Sequence, residues 1–344
     1  MSANFGAQAP DIAAAVAALR AGELVAFPTE TVYGLGADAR NPEALRKVFT
    51  LKGRPADHPL ILHLHSFDEL ERWVTAVPPM ARQLAARFWP GPLTLVLPRA
   101  AGVSDVLTGG QDSLAVRIPA HPVARALLAA FGSGIAAPSA NRYGRVSPTR
   151  AAHVREEFPA TLLVLEGGDC EVGLESTIVS LLGETPQLLR PGAISRAALE
   201  AELGIAVAGA VERAAPRVPG SMLAHYAPQT PLRLLDRQRF VSELRHALAA
   251  AASAGERVAV WAQRPQPTDL DQDLRAAVLQ WNIAPSLAAD YGRELYAALR
   301  RLDKSGASRI LAESVPEGVE WDAARDRLLR AAATFFEPSI FRTY

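Results

Sequence analysis

Cysteine is almost absent: Cys170 stands alone among 344 residues. A single thiol forms no intramolecular disulfide and builds no thiolate-cage zinc module. It fits a reducing compartment. Lysine is nearly as scarce. Only Lys47, Lys52 and Lys304 occur, so 33 of the 36 cations are arginine. Net charge is missing too, because 36 acidic residues balance the 36 basic ones. That leaves no global footprint for nucleic acid or an anionic membrane. No apolar run reaches the roughly 18–20 residues of a membrane span. The alanine-rich stretch 247–254 is too short and contains Ser253. The N-terminus lacks a basic segment followed by an apolar one, so no secretory signal is expected and the cytoplasm is the default. Nothing matches the phosphate loop G-x-x-x-x-G-K-[ST]. Gly34-Leu35-Gly36 lacks the third glycine of a dinucleotide fingerprint and by itself reads as a turn.

What is present is a chain 49% hydrophobic and 21% charged, long enough for one large or two medium globular domains. Residues 11–21 read as a helix capped by Asp11 and ended by Gly22. Residues 24–28 read as a strand. Asn41 and Pro42 supply the N-cap and first position of a helix running toward Lys52. Residues 60–64 form a short apolar strand with His63 and His65 on one face, and Ser66 with Glu69 makes a capping box. Further strands are expected at 93–97, 114–118, 135–137, 161–165, 177–181 and 188–189. Helices are expected near 81–88, 123–131 and 151–158, and after Ser195. This mixture predicts an α/β domain over 8–205. From 206 to 231 the period is lost among Pro216, Pro219, Gly220, Pro228 and Pro231, which predicts a linker. Beyond it, strands at 232–235, 258–261 and 309–312 alternate with helices at 240–252, 287–302 and 322–335. That is a second, smaller α/β domain over 232–344.

The stretch Phe27-Pro28-Thr29-Glu30-Thr31-Val32-Tyr33-Gly34-Leu35-Gly36 joins an apolar strand to a hydroxyl-rich, glycine-punctuated turn. It is either a polar turn or a set of donors and acceptors for a hydroxy-amino acid at a strand end. Lys52 and Arg54 suit a solvated helix end, or they neutralise triphosphate oxygens. Pro55 and Pro59 stiffen the following loop, which is expected to be exposed. His63 alone is first a strand histidine with a local partner. Arg117 sits in an apolar strand, where it is costly unless paired. Its partner is a core carboxylate or the carboxylate of a bound amino acid. Ala137-Pro138-Ser139-Ala140-Asn141 ends another strand with small residues that let a ligand approach the backbone. Ser147 with Pro148 and Thr149 opens a helix, as a cap or beside N–H groups free for phosphate. Glu175-Ser176-Thr177 opens a strand and Arg190-Pro191-Gly192 ends one. Each motif is weak alone; their order over half the chain is the signal.

That ordered set, P-T-E-T-x-Y-G-L with Lys52-Gly53-Arg54 and Ser139-Ala140-Asn141, resembles the YrdC-type threonylcarbamoyl-AMP synthases. His225-Tyr226-Ala227-Pro228 and the region after it resemble the two-domain members. The resemblance implies a YrdC-like twisted-sheet catalytic domain joined by a Pro-rich linker, acting as a lid, to a smaller Rossmann-like domain. It implies synthesis of L-threonylcarbamoyladenylate and pyrophosphate from L-threonine, bicarbonate or CO2, and ATP with Mg²⁺. The product would pass to the machinery that makes N6-threonylcarbamoyladenosine in tRNA; direct tRNA contact is left open. By resemblance, Thr31, His63, Arg117, the Ala137 backbone and Ser176 hold threonine. Arg54, His58, Ser113, Ser139, Ser147, Arg190 and Tyr226 hold the nucleotide, with Lys52 and Asn141 completing the phosphate cradle. Lys52 and Arg54 are the catalytic candidates, and no metal ligand is expected from the chain. His58 stands where the family often has asparagine, which makes that contact titratable near pH 6.5. No nucleophile–base pair stands out, and a reaction driven by positioning and charge neutralisation needs none. Two competing readings are a carbamoyltransferase containing a YrdC-type module and an RNA-binding or ribosome-assembly protein. The single cysteine weighs against the zinc finger that the first usually carries, and zero net charge against the second.

Overall fold

Helix ends in this chain follow local capping chemistry. The first helix, Ile12–Arg20, starts where Asp11 accepts from the Ala14 N–H at 2.8 Å. The helix Pro42–Lys52 begins with Asn41 accepting from Glu43 and Ala44 and stops at Gly53, whose φ of +64° favours glycine. That stop fixes Lys52 at the helix end. The computed structural model describes residues 11–209, 216–220 and 225–333. Residues 8–10 of the expected first domain, 210–215 and 221–224 of the expected linker, and the end of the last helix with the rest of 334–344 lie outside them.

The chain divides into two compact units, Met1–Tyr143 with Ser147–Ser221, and Gly144–Val146 with Met222–Tyr344. In the first unit the strands are β1 (Val25–Phe27), β2 (Gly34–Asp38), β3 (Ile61–His63), β4 (Leu93–Pro98) and β5 (Ser113–Arg117). They continue with β6 (Ile135–Ala136), β7 (Leu163–Val164), β8 (Thr177–Ser180), β9 (Gln187–Arg190) and β10 (Ala208–Gly209). Among the described residues they form one sheet in the order β10-β9-β8-β4-β5-β3-β6-β2-β1-β7. β2 was not anticipated, because Gly-Leu-Gly-Ala-Asp carries no β-branched residue. Its glycine is required: a Cβ on Gly36 would stand 2.8 Å from the Phe27 ring.

Register divides this sheet into two chemically different faces. His63 pairs with Arg117, Arg117 with Thr94, Thr94 with Ile178, and Ile178 with Arg190. Partners in register share a face, so these residues form one row across β3, β5, β4, β8 and β9. The alternate residues Leu62, Val116, Leu95 and Val179 point the other way, into the main hydrophobic core. One face is therefore committed to the core, and the other displays a polar row beside a small apolar patch.

Two local expectations fail. Ser66 makes no cap hydrogen bond, and the segment after it is a short 3₁₀ helix, Phe67–Arg72. Ser147 opens no helix. The next one, Ala151–Glu157, follows Arg150, and the Ser147 hydroxyl is committed elsewhere.

The second unit holds β11 (Leu232–Leu235), β12 (Val258–Ala262), β13 (Val278–Ile283) and β14 (Arg309–Glu313). All pair in parallel, in the order β11-β14-β12-β13, among the described residues. Helices Phe240–Ser253, Ala288–Asp303 and Asp322–Ala333 alternate with these strands, the Rossmann-like pattern. β13 was missed because Val-Leu-Gln-Trp-Asn-Ile mixes polar and apolar positions without a clean period.

Candidate active site

The hydroxyl-rich turn after β1 is a connected network. Thr29 Oγ1 donates to the Val32 carbonyl at 2.6 Å and receives the N–H groups of Thr31 and Val32. Its proton being spent, the 2.8 Å contact between the two hydroxyls is donated by Thr31. Arg117 then donates through Nη1 to Thr31 Oγ1 at 2.8 Å and through Nε to the Gly91 carbonyl at 3.2 Å. Its Nη2 stands 2.7 Å from Glu30 Oε1, both side chains being buried. Ala120 N–H binds the other oxygen of Glu30 at 3.1 Å. Burial pushes the Glu30 pKa up, but Arg117 outweighs it, so the carboxyl lies below its ordinary value and stays ionised. The two readings of Arg117 are compatible. It pairs with a core carboxylate, and of its five N–H donors two still have no assigned acceptor.

His63 lies beside Arg117 in register. Its Nδ1 is 3.2 Å from the Ile61 carbonyl and so must carry the proton, which makes Nε2 the acceptor. Burial, and then the charge of Arg117, lower its pKa to about 3, so the ring is neutral at physiological pH. Ala137 N–H binds the Ile61 carbonyl at 3.0 Å.

The lysine of K-x-R is not a solvated helix end. Lys52 is buried, and Nζ donates to the carbonyls of Ser139 and Asn141. One of its three donors remains for a ligand. The hydroxyl turn is stitched to the same loop, with Ala140 N–H on the Tyr33 carbonyl at 2.7 Å and Leu35 N–H on the Pro138 carbonyl at 2.8 Å. Burial, and next the charge of Arg54, hold the Lys52 pKa well below its usual range. Two cations so placed are relieved by an anion between them. Arg54 is also buried, contrary to the exposed loop expected from sequence. Its Nη2 donates to the Pro59 carbonyl at 2.8 Å, while Pro55, Ala56 and Asp57 are exposed. His58 packs edge-on against Tyr143. Burial first and Arg54 second lower its pKa, so it titrates below the pH 6.5 anticipated.

At the other end of the row, Ser176 Oγ lies 2.7 Å from Thr94 Oγ1 and accepts from Arg190 at 3.1 Å. Arg190 also grips the Ser176 carbonyl through Nε and Nη2, and donates to the Pro219 carbonyl at 2.8 Å. Beside it, Val218 packs on Ile61, Val96, Ala115 and Ile178, the apolar patch of the polar face. Gly192 permits this arrangement, because a Cβ there would lie 2.3 Å from the Thr177 nitrogen. Gly192→Ala is expected to displace the start of β8 and with it Ser176. A loss of about 1–3 kcal/mol in a denaturant titration, together with reduced synthase activity, is the expected outcome.

The structure thus joins Thr31 to Arg117, Ser176 to Arg190, and Lys52 to Ser139 and Asn141, with His63 in the row. Ser113 begins β5, on the face of Arg117 but at the opposite strand end. Ser147 donates to Glu175 at 2.6 Å. Tyr226 belongs to the second unit, with φ +62°, buried against Tyr296 and under the Arg327 guanidinium. Sequence reasoning passed over Glu30, Thr94 and Glu175 as site residues. Thr94 did leave a signal, as the one polar residue inside Leu-Thr-Leu-Val-Leu.

The family model Sua5_yciO_yrdC, described as "Telomere recombination", matches residues 17–192. Sua5_C, described as "Threonylcarbamoyl-AMP synthase, C-terminal domain", matches residues 194–333. The threonylcarbamoyl-AMP synthase of Pyrococcus abyssi is 40% identical over 323 residues, 91% of this chain and 92% of that one. The chain belongs to the threonylcarbamoyl-AMP synthase family. The Bacillus subtilis synthase is 38% identical over 94% of this chain and 93% of its own. The crystal structure of P. abyssi Sua5 complexed with L-threonine aligns with a TM-score of 0.84 at 39% identity, covering 93% of this chain and 94% of that one. As a threonylcarbamoyl-AMP synthase family member the chain is an enzyme, a nucleotidyl-type transferase of tRNA processing. Among its described residues no helix is long and apolar enough to cross a membrane.

Proposed function

We propose that this enzyme makes L-threonylcarbamoyladenylate from L-threonine, CO2 or bicarbonate, and ATP, releasing pyrophosphate. The observation that carries the reading is the stitching of the Thr31–Arg117 network to the loop clamped by buried Lys52. It sets an amino-acid-sized donor set beside a cationic cradle. Arg117 takes the threonine carboxylate, and His63 and the Ala137 backbone line the same pocket. The threonine amine adds to CO2 and loses a proton. A carbamate oxygen then bonds to the α-phosphorus while the bond to the β-phosphate oxygen breaks. Lys52, Arg54 and Arg190 offset the charge that builds on the phosphates, with His58, Ser113, Ser139, Asn141 and Ser147 as further nucleotide contacts. Mg²⁺ would come with ATP as part of the substrate and would help to neutralise its phosphates. The product serves tRNA N6-threonylcarbamoyladenosine synthesis in the cytoplasm. Pyrophosphate release from ATP should require both L-threonine and bicarbonate; release that ignores threonine would end this reading.

Residues 216–220 act as part of a lid over the nucleotide. Arg217 anchors them, with Nη1 on Asp57 at 2.8 Å, Nη2 on the Gly109 carbonyl and its backbone on Gln111. A lid that excludes water would protect a labile adenylate. ATP is expected to slow trypsin cleavage after Arg217. Equal cleavage with ATP and with buffer alone would remove the lid.

A further inference from the structure

A cavity of about 420 Å³ opens beyond the carboxyl ends of the parallel strands β3 and β5, away from the polar row. It is lined by His65, past the end of β3, by Ile118, past the end of β5, and by Phe67, Trp89, Arg82 and Arg125 among others. Ile118 belongs to the main core, on the face opposite Arg117. The Pro90-Gly91 segment separates the two sites, since Pro90 lines the cavity while the Gly91 carbonyl binds Arg117.

The lining is aromatic and cationic. The Phe67 and Trp89 rings lie 6.3 Å apart at 55°, and the Arg82 guanidinium sits 5.5 Å above the Phe67 ring. No carboxylate is among the lining residues. The nearest for Arg82 is Glu71, 3.5 Å away, in a pair whose side chains are 55% and 72% exposed and which holds little. Arg125 commits Nη1 to the His65 carbonyl, and its remaining donors have no assigned acceptor. His65 Nδ1 is buried without a hydrogen-bond partner, a group that protein interiors rarely leave unmatched.

We propose that this cavity binds a nucleotide unit, its base against Phe67 and Trp89 and its phosphate between Arg82 and Arg125. The rings offer a stacking surface that any base can use. The two guanidinium groups come from different helices, Pro79–Phe88 and Pro122–Phe131. Approach from two directions suits a tetrahedral phosphate, whose oxygens point apart, better than a planar carboxylate. Cavities of this size hold small ligands, and the carboxyl ends of parallel strands are where they bind. The unit comes either from a free mononucleotide or from single-stranded RNA.

Photo-crosslinking of the full chain distinguishes these sources. The probes are 8-azidoadenosine 5′-monophosphate and a single-stranded RNA hexamer carrying one 8-azidoadenosine, with labelled peptides mapped. Label is expected between Phe67 and Trp89. Labelling by the monophosphate assigns a free nucleotide; labelling by the hexamer alone assigns RNA. Arg82→Glu, on an exposed side chain, should lower the labelling about tenfold or more, the scale of one charged phosphate contact, and leave pyrophosphate release unchanged. Arg125→Ala should do the same with an unaltered melting curve. No label in this segment with either probe overturns the proposal. So does labelling that stays within about twofold of wild type in both variants.

Discussion

Arg117→Ala is expected to cost about 3–5 kcal/mol of stability and to abolish threonine-dependent pyrophosphate release, the scale for removing one partner of a buried ion pair. Arg117 and Glu30 are both buried, and their contact is 2.7 Å. Without the guanidinium, Glu30 keeps only backbone N–H donors, that of Ala120 at 3.1 Å and its own. The pH dependence carries the sign of the effect. In the intact protein Arg117 holds Glu30 below its ordinary pKa. Glu30 therefore adds stability above its unfolded pKa, and that stability is lost as pH falls through the folded value. In the alanine variant only backbone N–H groups oppose desolvation, the largest single cause, and the folded pKa rises. The penalty is then present at neutral pH and fades as the carboxyl is protonated in acid. Denaturant titrations at pH 7 and near pH 4, about the carboxylate reference value, should show the gap between variant and wild type narrowing in acid. A variant less than about 1 kcal/mol destabilised, or equally destabilised at both pH values, would show that the pair does not carry the site.

The local parts of this design were legible in the sequence. Asn41, Pro42 and Gly53 mark a helix whose start and stop are set within a few residues, and they deliver Lys52 to its place. The hydroxyl turn, K-x-R and S-x-N are contiguous and carry their chemistry openly. What was hidden is non-local. Glu30 and Arg117 meet across the sheet, and no spacing in the chain announces it. The row from His63 to Arg190 depends on the order of five strands, and register is set by tertiary packing rather than by any one strand. Lys52 and Arg54 looked solvated because sequence shows the cations but not the carbonyls of Ser139, Asn141 and Pro59 that receive them. The Ser66–Glu69 pattern promised a capping box and produced a 3₁₀ turn without one, since a capping signature is only as strong as the helix that follows it.

Valine is expected to be used about 10⁴–10⁵-fold less efficiently than threonine, because a site built to pair a hydroxyl leaves its own groups unpaired when the hydroxyl is missing. Under the proposed function, the hydrogen bonds already made determine which groups would read the hydroxyl. Thr31 has spent its proton on Thr29 and one lone pair on Arg117, so it can accept one further hydrogen bond but cannot donate. Ser176 accepts from Arg190 and shares a single bond with Thr94. Two hydroxyls sharing one bond leave one proton uncommitted. Thr94 is the register partner of Arg117, so these acceptor and donor positions adjoin. A substrate hydroxyl can donate to Thr31 and accept from the Ser176–Thr94 pair, satisfying both. A methyl group in its place strands an acceptor and a donor in a buried site. Serine keeps the hydroxyl and lacks only a methyl, so its deficit should be about 10–200-fold, the scale of one small apolar contact. The measurement is kcat/KM for pyrophosphate release with each amino acid at saturating ATP and bicarbonate. Thr31→Val should bring threonine and valine closer together while Arg117 still supplies the carboxylate contact. Valine within about tenfold of threonine in the wild-type enzyme would mean that neither Thr31 nor Ser176 reads the hydroxyl.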